Sequence, residues 1–359
     1  MKNATHISLS TCVALALFSV CPMISHSQTN IPQTRFIQID PGSFQKTVST
    51  NGSNEITMTS PEIHAGFSWD ELIVSWNVRM PTNAGLRVEA RANYADYKTR
   101  YYTMGLWSVA GSSHPRQSAT GQKDNDGDVL TDTLVLKKPA DRFQLRLTLN
   151  GDGRNDVKLT LVGVSLLGST SLATPSSPNQ KAWGKIIPVP ERSQMAHPDG
   201  EKLCSPTAVS MLLGFWSNKL KRPELDRDVP EIAAAVFDPN WPGMGNWSFN
   251  MAYAGSMAGM RGYVARLNNV RELEDWIAEG VPVGISVCYN RLRGKSREPS
   301  GHIVVCCGFT ENGDVIVNDP GTSKNVRKTF PRANLIDAWS YSKNTVYLVH
   351  PSNTKPPED

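Results

Sequence analysis

Four polar side chains in the C-terminal half have the chemistry of acyl transfer. Cys204 stands directly before Ser205-Pro206 and an apolar stretch, SPTAVSMLLGFWSNKL. Proline suits the first helical turn, where its missing N–H has no intrahelical role. A thiol at a helix N-terminus sees the positive end of the dipole, which favours thiolate, the nucleophilic form. The plain alternative is a small buried core cysteine. His302 follows Ser300-Gly301 and opens the apolar run HIVVCCGFT, where it can act as general base or remain a structural histidine. Asp319 closes the next run, DVIVNDP, and the ENG turn at 311–313 folds the two runs into a hairpin that returns Asp319 to His302. Pro320 holds Asp319 extended, so its carboxylate can accept an imidazole N–H and fix the tautomer. Asn318 is the fallback for that role, and the two face opposite ways in a regular strand. Gln194, upstream of Cys204, could add its amide to the Cys204 backbone N–H as an oxyanion hole.

The elements around these residues divide the chain. From about Arg35 to Leu167 the pattern has period 2: Leu72, Val74, Trp76 and Val78 alternate with polar neighbours, as do Leu86 to Ala92 and Phe143 to Leu149. Successive strand residues point to opposite faces, so this predicts half-buried strands. With a GDGRND turn at 151–156 and no helical stretch, residues 35–170 read as an all-β antiparallel sandwich of jelly-roll type. The small, proline-bearing segment 171–182 reads as a linker. After Trp183 two helical stretches precede strands: the one after Cys204, with Val209, Leu212, Leu213 and Trp216 on one face, and RELEDWIAEG, which Gly280 caps. The strands are VPVGISVCY, HIVVCCGFT, DVIVND and NTVYLVH. Residues 183–351 are therefore expected to form an α+β domain.

Gln, then Cys at a helix start, then His at a strand start and Asp in the paired strand is the chain order of papain-like cysteine peptidases. The segments IPVPERSQ, CSPTAVSMLL, GHIVVCCGF and VIVNDP resemble family thirty-nine of the cysteine peptidases, the bacteriocin-processing or double-glycine peptidases and their single-domain relatives. NWSFNMAYA at 246–254 and LEDWIAEGVPVGISV are similar to those relatives too. The resemblance covers roughly 183–350 and none of the sandwich. It implies a papain-like domain with Cys204 as nucleophile, His302 as general base, Asp319 as orienter and Gln194 as oxyanion donor. Two departures stand out: Cys204-Ser205-Pro206 replaces the family's Cys-Gly-Pro, and the MAHPDGEKL loop between Gln194 and Cys204 is long and charged. No transmembrane bundle or P-loop is read after the peptidase segment, so an export-transporter role and a double-glycine leader substrate are not expected.

The N-terminus reads as an address. Lys2 precedes an apolar run from Ile7 to Met23, and small Ser25 and Ser27 prepare a cut before Gln28. Residues 1–27 thus resemble a secretory signal peptide, and the protein is expected to be exported, periplasmic or extracellular. Bulky Phe18 and Val20 speak against a lipid anchor on Cys21. Of six cysteines, Cys12 and Cys21 leave with the signal; Cys204, Cys288, Cys306 and Cys307 remain, too few for a disulfide scaffold. A length of 359 residues fits two domains, and 39% hydrophobic with 19% charged residues excludes a mainly disordered chain. A net charge of +4 without a basic stripe gives no reason to expect nucleic acid.

Other features are set aside. KDNDGD at 123–128 hints at calcium, but Gly127 is out of register for an EF-hand and Val135 stands where the closing Glu belongs. His302, Cys306 and Cys307 match no zinc spacing, and adjacent cysteines point to opposite strand faces. No cofactor or metal is expected. Trp241, Trp247 and Phe249 are core aromatics or a cleft wall. The sandwich aromatics, Trp69, Trp76, Tyr94, Tyr97, Tyr101, Tyr102 and Trp107, are core or a sugar-stacking face.

The sequence thus predicts an exported cysteine peptidase that cuts peptide or amide bonds in a peptide or protein substrate, with the sandwich holding substrate or a cell-envelope polymer. The alternative is a non-catalytic binding protein: a papain-like recognition domain beside a glycan- or peptide-binding sandwich.

Overall fold

A computed structural model describes residues 32–49, 55–174 and 176–357. The expected signal segment, 1–27, lies outside the described residues. Among the described residues no helix is long and apolar enough to cross a membrane.

The N-terminal part is strand after strand: β1 (Pro32–Ile39), β2 (Gln45–Val48), β3 (Ile56–Thr59), β4 (Ile63–Arg79), β5 (Gly85–Asn93), β6 (Tyr102–Trp107), β7 (Gly127–Leu130), β8 (Thr133–Asn150) and β9 (Lys158–Leu172). All its pairings are antiparallel, and hydrogen bonds join the nine strands into one sheet. The long β4 and β8 make this possible. β8 pairs with β4 and β7 over its first residues and with β3 and β5 over its last, with register breaks in β4 between His64 and Glu71, so the sheet curls.

The remaining elements are α1 (Cys204–Leu220), α2 (Val229–Val236), α3 (Trp247–Ser256), β10 (Met260–Arg266), α4 (Val270–Ala278), β11 (Val283–Cys288), α5 (Tyr289–Leu292), β12 (Gly301–Phe309), β13 (Val315–Asn318), β14 (Arg327–Phe330), α6 (Arg332–Ser340) and β15 (Thr345–Pro351). The six strands form an antiparallel sheet in the order β10-β15-β11-β12-β13-β14. The chain is therefore largely β-sheet with a smaller helical part. Helix α1 is buried on every face from Ser205 to Ser217, because the sheet covers one side and α2 and α3 cover others.

The described residues form one compact unit, and a single cluster of buried side chains runs from Ile39 to Val349. Alternation along β4 predicts one buried face, yet residues Glu71 to Val78 are all buried. The reason is β10, whose outer edge has no strand neighbour and is met by side chains instead. Asn77 donates from Nδ2 to the Gly262 carbonyl (2.7 Å) and accepts the Gly262 N–H at Oδ1 (3.1 Å), copying a strand partner. Ser75 Oγ accepts the Val264 N–H at 2.9 Å, and Thr34 Oγ1 donates to the Arg266 carbonyl at 2.7 Å. Space for Asn77 exists only because residue 255 is glycine; a Cβ there would stand 2.0 Å from Asn77 Nδ2. Above this seam Phe249 of α3 wedges between Trp76 and Trp107, with ring centroids at 6.2 and 5.5 Å.

The connecting stretch is held as well. Asn179 donates from its backbone N–H to Glu274 Oε2 (2.8 Å) and from Nδ2 to Asp275 Oδ1 (2.6 Å), and Trp183 Nε1 donates to Glu274 Oε1 (2.7 Å).

An unmet buried polar group costs about 1–3 kcal/mol. Asn77→Ala, which strands both polar groups of Gly262, is expected to lower stability by about 2–4 kcal/mol in urea denaturation. Tryptophan fluorescence and hydrogen exchange should report both sheets shifting together. Independent melting of the two sheets would contradict the seam.

Candidate active site

Cys204 is the first residue of α1, and its cap, Leu203, offers no side-chain acceptor. The N–H groups of the first turn therefore remain for other partners. The His302 ring and the backbone N–H groups of Ser205 and Ile303 act on the sulfur and draw its pKa down. His302 sits near the start of β12, paired with Val287 of β11 and buried. Its Nε2 lies 2.9 Å from Asp319 Oδ1.

Asp319 follows β13, the hairpin partner of β12, and is fully buried. It is the most heavily bonded carboxylate of the site. Oδ1 also accepts the Gly321 N–H at 2.9 Å; Oδ2 accepts the Tyr289 hydroxyl at 2.6 Å and Lys328 Nζ at 3.0 Å. Asn318 turns away: its Nδ2 donates to the carbonyls of Val189 and Pro190, and its Oδ1 accepts from Arg327 Nε. Asp319 rather than Asn318 is therefore the partner of His302, and Asn318 is spent on holding the segment that leads to Gln194.

Charge follows the hydrogen bonds. Burial pushes the Asp319 carboxyl up, but His302, Tyr289 and Lys328 outweigh it and hold it well below the usual carboxylate range. Burial resists charging His302, but its bonds to Asp319 and Cys204 push it up to about 9. Burial likewise raises the Cys204 thiol, yet the His302 bond and charge with the two backbone N–H groups bring it below the ordinary thiol value. Each group favours the charged form of the other, so the two titrate as a coupled pair. The other three thiols are ordinary core groups. Burial drives Cys306 well up and Cys307 to about 11, and Cys288 bonds the Glu298 carbonyl.

Gln194 opens a short turn (Gln194–Ala196) capped by Ser193. Its N–H donates to the Pro320 carbonyl at 2.9 Å, tying this turn to the residue after Asp319. Gly200, at the entry to α1, lies so close that a Cβ would stand 2.5 Å from the Gln194 carbonyl oxygen. The Gln194 side chain is buried, and its Oε1 has no partner among the described residues.

Cys204 and His302 open into a cleft of about 530 Å³, ample for part of a short peptide. One wall comes from the second sheet and α3: Ile303, Ser286, Trp247 and Arg266. The other comes from the N-terminal sheet: Glu71 and the β7–β8 connection, Leu130 to Thr133. Thr131 there has φ 61°, and the Asp132 N–H donates back to the Leu130 carbonyl at 2.8 Å. This tight turn strains a β-branched residue, a cost that persists only under external restraint. Asp132 supplies the restraint, accepting the Trp247 N–H at 2.8 Å and the Thr133 hydroxyl at 3.1 Å. Burial pushes its carboxyl up to about 6 against those bonds. Trp241, 47% exposed, lies across the mouth, whereas Phe249 is core.

No sequence motif singles out Tyr289, Lys328, Arg266 or the β7–β8 wall. Tyr289 directly follows β11, and Lys328 sits on the strand paired with β13, so the hairpin pattern carried some signal for both. The loop at 123–128 spends its carboxylate locally: Asp124 accepts from the Asp126 and Gly127 N–H groups, Tyr102 and Arg100. Among the described residues no group of three or more His, Cys, Asp or Glu is placed to hold a metal ion.

Residues 32–169 match the family described as Peptidase C39 N-terminal domain, and residues 186–347 match the Peptidase_C39 like family. No curated protein matches the chain. Among solved structures, a structure of infectious bursal disease virus, Gx strain, is similar at 10% identity over 46% of this chain and 43% of that one, TM-score 0.21. A family two carbohydrate esterase from Cellvibrio japonicus is similar at 14% identity over 44% of this chain and 42% of that one, TM-score 0.18. This chain spans less than half the length of either, and such weak likeness carries no argument.

At neutral pH iodoacetamide should modify Cys204 and spare Cys288, Cys306 and Cys307, as read by peptide mapping. His302→Ala should slow alkylation of Cys204 at pH 6 by about tenfold or more, since each unit of lost pKa depression costs tenfold in thiolate. Tyr289→Phe should let the Asp319 carboxyl rise and the His302 pKa fall. The high-pH limb of the alkylation profile would then move below its wild-type position near 9. Equal modification of all four thiols would contradict the assignment.

Proposed function

We propose that this C39 family cysteine peptidase-like protein hydrolyses peptide or amide bonds with Cys204 as nucleophile. The observation that carries this reading is the His302–Asp319 hydrogen bond at the wall of a peptide-sized cleft that Cys204 also lines. The Cys204 thiolate attacks the scissile carbonyl carbon. The oxyanion is received by the Cys204 N–H, free of helix bonding at this position, with the Gln194 amide as second donor. The imidazolium of His302 gives its proton to the departing amine, which leaves a thioester and a neutral imidazole. His302 then takes a proton from water, the hydroxide attacks the thioester carbonyl, and the acid departs as the thiolate and imidazolium are restored. Asp319 keeps the ring in the tautomer this requires, and Tyr289 and Lys328 position Asp319.

The reading extends to layout and place. The curled N-terminal sheet and the papain-like part act as two domains in one packed unit, with the β7–β8 turn closing the cleft rather than serving only as a distant tether. The signal-like start, residues 1–27, supports export, and the substrate is a peptide or protein met outside the cytoplasm. A cell-envelope polymer held by the N-terminal domain fits the same setting.

Cys204→Ala should abolish turnover of a peptide library read by mass spectrometry. Gln194→Ala should lower kcat by about a hundredfold or more while KM changes little, because an oxyanion donor acts in the transition state. Turnover surviving in Cys204→Ala would sink the proposal.

A further inference from the structure

The cleft holds a charged group that thiol chemistry does not use. Arg266 ends β10 and is only 4% exposed. Its Nη2 donates to Glu71 Oε2 at 2.7 Å. Its Nε and Nη1 are buried with no hydrogen-bond partner among the described residues. The side chain lies toward the cleft: Glu71 and Asp132, whose charges act on it, both line that space, while the Arg266 carbonyl faces the other way, to Thr34. Lys343, half exposed on the turn before β15, also pairs with Glu71 and lines the cleft.

A buried guanidinium N–H without an acceptor is costly, and arginine cannot escape by losing its proton. The two carboxylates that line the cleft are engaged: Glu71 by Arg266 and Lys343, Asp132 by Thr133 and the Trp247 N–H. What is missing is an acceptor brought from outside. Carboxylate is the group whose charge and shape suit guanidinium donors best.

We infer that this end of the cleft is a recognition subsite for a carboxylate carried by the substrate, with Arg266 as the specificity-determining donor and Lys343 as the outer cation that draws the anion in. The inference rests on the Cys204 reading for its catalytic meaning. The carboxylate is either a peptide C-terminus or an Asp or Glu side chain, which share this chemistry.

The test uses the full chain and bromoacetyl peptides of one to three glycines, each as free acid and as amide, with Cys204 alkylation followed by mass spectrometry. At the best length the acid should react about tenfold or more faster than the amide, the yield of one charge-assisted hydrogen bond. Arg266→Gln should remove most of that preference, leaving only the part that His302 and Lys343 sustain. Because Arg266 pairs with buried Glu71, Arg266→Lys serves as a second variant that keeps the pair but loses the fork, and should cut the ratio at least about threefold. His302 also attracts acids, but its pull survives in both variants and is subtracted by the comparison. Bromoacetyl-glutamate blocked as its α-amide tells a side-chain carboxylate from a terminal one. A ratio near one at every length, or one that both variants leave unchanged, overturns the subsite. If Cys204 resists even iodoacetamide, the nucleophile reading fails. The subsite is then judged by calorimetry of Cys204→Ala with N-acetylglycylglycine as acid and as amide: tighter binding of the acid, lost with Arg266→Gln, upholds it, and equal binding rejects it.

Discussion

Strand β10 has one edge without a neighbouring strand, and that edge lies in the interior. Backbone N–H and C=O groups buried away from water must be met. Here the first sheet meets them with side chains, through Asn77, Ser75 and Thr34, at the alternate residues Gly262, Val264 and Arg266. A side-chain amide can replace a strand partner only at short range. That requirement brings β4 against β10, forces glycine at 255, and buries both faces of β4. Most of the arrangement follows from this contact. β8 is paired to β4, so the β7–β8 turn is carried to the mouth of the cleft, where Asp132 bonds the first N–H of α3.

The chemistry of the cleft depends on uneven burial of charge. Asp319 sits dry but receives four donors, so it remains an anion and holds His302 as a cation. His302 in turn draws the thiol pKa down, against a burial that would raise it. Cys306 and Cys307 show the contrast. They are fully buried and lack the His302 partner, and their thiols are driven up. Position in a hydrogen-bond chain, rather than residue type, separates a reactive cysteine from a packing one.

Glu71, Arg266 and Lys343 form a second charged group, at the junction of the two sheets. A buried ion pair of this kind is a weak source of stability, since desolvation offsets much of the attraction. Its place on the cleft and the unmet donors of Arg266 give it a different meaning: the junction that holds the sheets together also shapes what the cleft can bind.

Much of the site was legible in the chain because its determinants are local. Cysteine before Ser-Pro at a helix start, histidine at the head of an apolar strand and aspartate beyond a tight hairpin are joined by short-range geometry: the helix fixes Cys204, and the hairpin register sets Asp319 beside His302. The period-2 pattern likewise determined an antiparallel N-terminal part. Other features depended on residues far apart in sequence. Alternation gives one buried face per strand and cannot say that a second sheet will cover the other, so Glu71, Ser75 and Asn77 read as solvent-facing. The segment 171–182 has too few apolar residues to order itself, but nothing in it shows that α4 supplies carboxylates to hold it. A polar turn between β7 and β8 carries no mark of the thiol it faces. The sequence by itself determined the chemical groups and the local elements that present them, because propensity, capping and hairpin closure act over a few residues. Only the tertiary structure decided which edge is stitched to which side chain and which turn walls the cleft, because those contacts depend on the packing of two sheets and on the need to satisfy every buried polar group at once.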